Sequence, residues 1–206
     1  MRIALLHGWG LDASLWQVVI PLMAGFDCRA VECGYFGAAQ EAGAADLVVT
    51  HSLGTLRALA APPPGCRGIV AINGFDCFAA RADFPAGVPT RLLDRMLARL
   101  DSDAEATLND FRTRCGAPHA PALADPHTLR ADLRLLRDGD GRGLWRGPLA
   151  LLSGDADPIV TPAHQAACFA DRADAVRGSV PGGGHLLPLT APAECADAIR
   201  ALAARL

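Results

Sequence analysis

The stretch Asp46–Ala61, DLVVTHSLGTLRALAA, runs from an apolar strand-like segment (Asp46–Thr50) through His51-Ser52-Leu53-Gly54 into strong helix formers (Thr55–Ala61). A serine at a strand-to-helix junction, with a glycine two residues later, has the form of a nucleophile elbow. The turn is so tight that Ser52 takes a strained backbone and exposes its hydroxyl, while Gly54 lets the helix pass close to the strand. The usual pattern is G-x-S-x-G, and Thr50 stands at the first glycine position. Serine is also an ordinary helix N-cap, so the elbow reading depends on what the rest of the chain supplies.

Outward from this stretch the chain alternates strands with helices. Ile3–Leu6 reads as a strand running into the loop His7-Gly8-Trp9-Gly10, Cys28–Cys33 as a second, and Gly68–Gly74, Pro148–Gly154 and Asp174–Val180 as three more. Asp12–Met23 reads as a helix capped by Asp12, with Leu15, Trp16, Val19 and Ile20 on one face. An Ala-rich stretch after Gly37 is weakly helical, Pro62-Pro63-Pro64-Gly65 stops the helix after Ser52, and Pro192–Leu206 is amphipathic. The expected fold class is therefore α/β, a mostly parallel sheet of about six strands flanked by helices. The interval 75–147 breaks the alternation: Thr90–Leu100, Ala104–Cys115 and Pro126–Arg137 read as helices with no strand between them. The expectation is a single domain over 1–206 with a helical cap inserted at about 75–147.

Composition narrows the function classes. Of the 206 residues 51% are hydrophobic and 20% charged, enough apolar surface for a core and against intrinsic disorder. No apolar run approaches the ~18 residues of a membrane helix, and the apolar run near Met1 is too short for an export signal. Seven cysteines without a CxxC pair suit free thiols, so the expected location is cytoplasmic. All 19 basic residues are Arg, and the net charge of −3 argues against a nucleic-acid partner. The six histidines show no paired metal-ligand spacing, so no metal is expected.

A serine nucleophile needs a base, and the base needs a carboxylate to orient it. Behind an elbow serine these follow in the order Ser, Asp or Glu, His. Gly154-Asp155-Ala156-Asp157-Pro158 follows the fifth strand and Gly182-Gly183-Gly184-His185 the sixth, where a parallel sheet places its ligand groups. Ser52, Asp157 and His185 are the candidate triad. Asp157, just before Pro-Ile-Val, is favoured over Asp155, which is better placed to cap the turn. The backbone N–H groups of Trp9 and Leu53 are the candidate oxyanion donors. His7 is assigned to bonding within its loop and His51 to packing under the elbow. His119, His127 and His164 are read as surface or cap-helix residues.

With these segments in place, the chain resembles the α/β-hydrolase superfamily from HGWG through HSLG and DPIV to GGGH. More narrowly it is similar to the pimeloyl-[acyl-carrier protein] methyl ester esterases of biotin synthesis, through HGWGLDASLWQ (7–17), AINGFDCFAARADFPAGVP (71–89), FRTRCG (111–116) and DPIVTPAHQ (157–165). The resemblance implies hydrolysis of the methyl ester of pimeloyl-acyl carrier protein through an acyl-enzyme on Ser52, with no cofactor. It nominates Phe111, with Trp9 and Leu53, as substrate-binding residues. It also implies docking of an acidic carrier protein by an Arg-x-x-x-Arg pair, Arg130 and Arg134, with Arg137 beside them. Residues 91–146 hold ten Arg against nine acidic residues, a slight basic excess in a chain that is acidic as a whole. The alternatives are a general short-chain carboxylesterase or thioesterase, for which the same triad serves, and a non-catalytic ligand-binding protein on the same scaffold.

Overall fold

A computed structural model describes residues 1–206 and contains one six-stranded sheet, β1 (Arg2–Leu6), β2 (Asp27–Val31), β3 (Leu47–His51), β4 (Gly68–Ile72), β5 (Leu149–Gly154) and β6 (Val176–Val180). The order is β2-β1-β3-β4-β5-β6 and every pairing is parallel. The central strands β3 and β4 are buried along their whole length, as the runs LVVTH and GIVAI demand, because helices cover both faces. The edge strands are different in kind. VRGSV is largely exposed and DCRAV partly so, and both carry arginines, which blunts their free edges. The strand order reverses between β1 and β3, and at such a switch point the loops leaving adjacent strands diverge to open a crevice at their carboxyl ends. The loop His7–Gly10 and the turn at Ser52 are the two walls of that crevice.

Helices α1 (Gly54–Ala60), α5 (Pro162–Ala167), α6 (Leu187–Thr190) and α7 (Pro192–Ala203) connect or follow strands, and α2 (Thr90–Ser102), α3 (Ala104–Cys115) and α4 (Pro126–Asp138) lie between β4 and β5. Asp103 caps α3 and Asp125 caps α4 through their carboxylates, and Gly116, at φ +83°, ends α3 in the left-handed conformation that glycine takes without a Cβ clash. Leu93 and Leu100 of α2 and Leu129, Leu133 and Leu136 of α4 are buried, and α2 packs on both α3 and α4. Asp132 of α4, itself buried, accepts from the Tyr35 hydroxyl and from Arg57 of α1, which ties α4 to the layer beneath it. No helix is long and apolar enough to cross a membrane.

Two local expectations are corrected. Asp12–Met23 is not one α-helix but two 3₁₀ turns, Ala13–Trp16 and Ile20–Leu22. Asp12 does cap the first, accepting from Ser14 N–H at 2.9 Å, but Pro21 has no N–H with which to continue a helical ladder from the preceding turn. Leu15, Trp16 and Val19 are still buried. The Ala-rich stretch after Gly37 forms no helix: it is short and interrupted by Gly43 at φ +66°. The short helices α5 and α6 had no counterpart in the sequence reading.

At Gly54 a Cβ would lie 2.6 Å from the Leu6 carbonyl oxygen and 3.0 Å from that of His7, both rigid backbone. Gly54→Ala is expected to destabilise the fold by about 2 kcal/mol, a Tm loss of roughly 4–8 °C for a chain of this size, read by thermal unfolding.

Candidate active site

The turn from β3 into α1 holds Ser52 at φ +53°, one of only three non-glycine residues with positive φ. Strain of this kind persists where the surroundings over-determine the backbone. Here Ser52 N–H donates to Ile72 O at 3.2 Å and Ser52 O accepts from Thr55 N–H at 3.0 Å. Gly8 faces it so closely that a Cβ there would lie 2.9 Å from Ser52 Cβ. Thr50, at the usual glycine position, is buried with its hydroxyl 2.8 Å from Thr55 Oγ1 and 3.3 Å from Val70 O, so the departure is absorbed by hydrogen bonding.

The backbone N–H groups of Trp9 and Leu53 donate to no acceptor within the chain. Trp9 is nonetheless fixed, because its buried indole donates to Leu129 O of α4 at 2.8 Å. From the α3 side, Arg112 Nη1 donates to Gly10 O at 2.7 Å. The loop after β1 is thus bonded to two helices while one of its own N–H groups stays free, an arrangement suited to meeting a developing negative charge. His7 bonds within this region: Cys33 N–H donates to its Nε2 at 3.1 Å, and its Nδ1 lies 3.0 Å from Gly8 O.

Asp157 and His185 come together across the ends of β5 and β6, with Nδ1 2.8 Å from Asp157 Oδ2. The other carboxylate oxygen accepts from Ile159 N–H at 2.7 Å and Val160 N–H at 3.0 Å, so the group has one orientation. Asp155 does something else: its Oδ1 accepts from Gly182 N–H at 2.6 Å and pins the glycine-rich loop that carries His185. Ser52, Asp157 and His185 are all buried. No hydrogen bond joins Ser52 Oγ to His185 Nε2, and neither atom is among the enclosed polar atoms left without a partner, so both reach open space. Such bonds often tighten only when substrate is present.

The sequence reading missed Asn73. It is fully buried at the end of β4, at φ +44°, and its Nδ2 donates to Gly184 O at 2.9 Å and to His185 O at 2.8 Å. Its Oδ1 accepts from Gly154 N–H at 2.8 Å and its own N–H donates to Leu152 O at 2.8 Å. One side chain thus joins the ends of β4 and β5 to the histidine loop. His51 grips the same carbonyl, with Nε2 2.8 Å from His185 O, and burial, reinforced by the neighbouring His185, holds its pKa well below the usual histidine value. It is a neutral donor, in keeping with its assignment under the elbow. The signal for Asn73 was the dipeptide Asn-Gly ending an apolar strand, which reads equally as a plain turn.

Above Ser52 lies a cavity of about 230 Å³ walled by Trp9, Phe78, Leu92, Phe111 and Leu133, with Arg114, Thr161 and His164 as polar exceptions. Phe111 is half-buried and meets the Trp9 ring edge-on, 4.9 Å between centroids. His164, read as a surface or cap-helix residue, is instead buried on α5 with Nε2 2.8 Å from Cys77 O, and burial lowers its pKa. Its short helix packs against Phe75, Phe78 and Phe84, contacts that no local pattern announces. Arg130 is ion-paired with Asp101, Arg137 with Asp94 and Asp138, and Arg134 is exposed without a partner.

No family model matches the chain. Its whole length aligns at 27% identity over 242 residues with a pimeloyl-[acyl-carrier protein] methyl ester esterase of Cronobacter sakazakii, covering 93% of that protein. A protein of the same name from Serratia marcescens is 29% identical over 73% of this chain and 71% of its own length. Among solved structures, a bromoperoxidase from Bacillus anthracis matches with a TM-score of 0.82 at 16% identity, over 98% of this chain and 91% of that one. An esterase from Exiguobacterium antarcticum matches at 0.79 and 15%, over 98% and 91%. The fold is that of the α/β-hydrolases.

Asn73→Ala leaves Gly184 O and Gly154 N–H without a partner, while His185 O keeps its bond to His51, and it places alanine at positive φ. At about 1 kcal/mol or more for each of the two groups, the expected loss is at least about 2 kcal/mol, a Tm fall of roughly 4–8 °C in a thermal melt.

Proposed function

We propose that this α/β-hydrolase-fold chain is a serine carboxylesterase that removes the methyl group from the methyl ester of pimeloyl-acyl carrier protein. The observation that carries the chemistry is Ser52, held at positive φ at the floor of an apolar cavity beside two free backbone N–H groups. The hydrolysis of carboxylic esters is supported by full-length similarity to named esterases, and the carrier-linked substrate by the names of those relatives. In this reading residues 75–147 are the cap that roofs the cavity.

In the reaction Ser52 Oγ attacks the ester carbonyl and His185 Nε2 takes its proton. Trp9 and Leu53 N–H receive the oxyanion. Asp157 keeps the proton on Nδ1, so Nε2 is the free base, and it stabilises the imidazolium that forms. The tetrahedral intermediate collapses, the C–O bond to the methoxy group breaks, and His185 returns the proton to release methanol. A water, deprotonated by the same imidazole, then adds to the acyl-enzyme and frees the carboxylate. The apolar walls suit an acyl chain, each buried methylene contributing about 0.8 kcal/mol.

The test is hydrolysis of the carrier-linked methyl ester and of a p-nitrophenyl ester, each with Ser52→Ala as control. Both substrates are expected to be cleaved, with a loss on the order of 10⁶ in kcat for the variant. Cleavage of the small ester alone would keep the esterase and discard the carrier-linked substrate; a variant within tenfold of the parent would discard Ser52.

The two aspartates separate by the same assay. Asp157→Asn is expected to lower kcat by roughly 10⁴, because the imidazole is left in the wrong tautomer. Asp155→Asn should lose far less. The reverse ranking would transfer the role to Asp155.

A further inference from the structure

Most of the wall above Ser52 is apolar, and α5 with its cap interrupts it at Thr161 and His164. His164 is only 1% exposed. Its Nε2 lies 2.8 Å from the Cys77 carbonyl oxygen, which can only accept, so Nε2 carries the proton. Burial lowers the pKa of the ring, which keeps it neutral and leaves Nδ1 as a bare lone pair. Phe75, Phe78 and Phe84 hold the ring in place, at 6.0, 5.7 and 5.5 Å between centroids. Nδ1 bonds to nothing in the chain, yet it is not among the enclosed polar atoms left without a partner. The little of His164 that stays open therefore includes Nδ1, and the space that His164 borders is the cavity. Thr161 stands one turn earlier. Its Oγ1 accepts from His164 N–H at 3.4 Å, and its own proton goes to no group of the chain. An otherwise apolar wall thus presents one acceptor and one donor from a single turn.

We propose that His164 is a specificity-determining residue: its Nδ1 accepts a hydrogen bond from a hydroxyl on the acyl chain, Thr161 donates to that hydroxyl, and the site takes hydroxyacyl esters as a further substrate class. A hydroxyl both donates and accepts, so it satisfies the two wall groups at once. A plain chain strips water from Nδ1 and returns no donor, and a site built to bond a hydroxyl discriminates strongly against such an analogue. Arg114, the other polar group of the wall, has only donors to offer and does not tell a hydroxyl from a carbonyl oxygen. The inference rests on the esterase reading of Ser52 and needs no carrier protein.

The test uses the methyl esters of straight-chain monohydroxyoctanoic acids, with the hydroxyl moved one carbon at a time and the lactone-forming positions left out. These probes share one composition and differ only in where the hydroxyl falls. Titration calorimetry on the full chain as Ser52→Ala, so that nothing turns over, is expected to show one position binding about tenfold more tightly than the others. Adding His164→Phe should remove that peak, and adding Thr161→Val instead should lower it, while the other isomers keep their affinities within about threefold. Loss of the bond to Cys77 O lowers stability, but a ratio taken within one preparation does not depend on the folded fraction. A flat series, with water serving Nδ1, overturns the proposal, as does a peak that survives either substitution. Cleavage of plain methyl octanoate by the chain with Ser52 intact reports on the esterase reading alone. If it is cleaved while the series is flat, the His164 subsite is wrong and the esterase stands. If it is not cleaved, the esterase reading fails and the calorimetric profile still decides the subsite.

Discussion

The loop after β1 has to lie against the turn after β3 at a separation that side chains do not allow. Gly8 faces Ser52, and Gly54 faces the carbonyls of Leu6 and His7. Glycine at both contacts lets backbone approach backbone, and that approach fixes where Ser52 Oγ stands relative to Trp9 N–H. Much else in the upper half of the molecule holds this contact in place. Arg112 of α3 binds Gly10, the Trp9 indole binds α4, and α4 is tied back to α1 through Asp132 and Arg57. The helices between β4 and β5 therefore brace the loop as well as roofing the cavity. A loose cap would also loosen the position of the Trp9 N–H.

The histidine side of the site is held by a different kind of force. The loop bearing His185 is rich in glycine and has little side-chain surface to pack, so polar contacts take the place of packing. Asn73 and His51 both reach the His185 carbonyl, Asp155 takes the Gly182 N–H, and Asp157 takes the imidazole. These groups are largely enclosed, where an unmet hydrogen bond costs about 1–3 kcal/mol, so the loop has few competing positions. His51 Nδ1 is one enclosed atom without a partner. A neutral imidazole leaves that nitrogen as an acceptor rather than an unsolvated N–H, which is the cheaper of the two states to leave unpaired.

How much of this was legible depended on whether the deciding interactions are local. The inner strands announced themselves as apolar runs, and α2, α3 and α4 as helical stretches with no strand between them, because the patterns that mark such elements act within a few residues. The chain order of Ser52, Asp157 and His185 was readable for the same reason: each follows a strand that could be recognised. Asn73 and His164 were not readable, since their bonds run to residues far along the chain and nothing near them marks the partner. The segment Asp12–Met23 failed in the opposite way. Its apolar spacing suited a helix, but the missing N–H of Pro21 outweighed the pattern.

Charge was the least legible feature of all. Ten arginines between 91 and 146 face nine acidic residues, and a count cannot say which of them cancel. In the folded chain cancellation is decided pair by pair. Arg130 meets Asp101, Arg137 meets Asp94, and Arg112 is buried against the loop after β1. Three other arginines, 95, 99 and 114, line one hollow between α2 and α3 and meet one carboxylate among them. A near-neutral segment thus presents a local positive field between α2 and α3. The position of the uncompensated arginines, rather than their number, sets the charge of that surface.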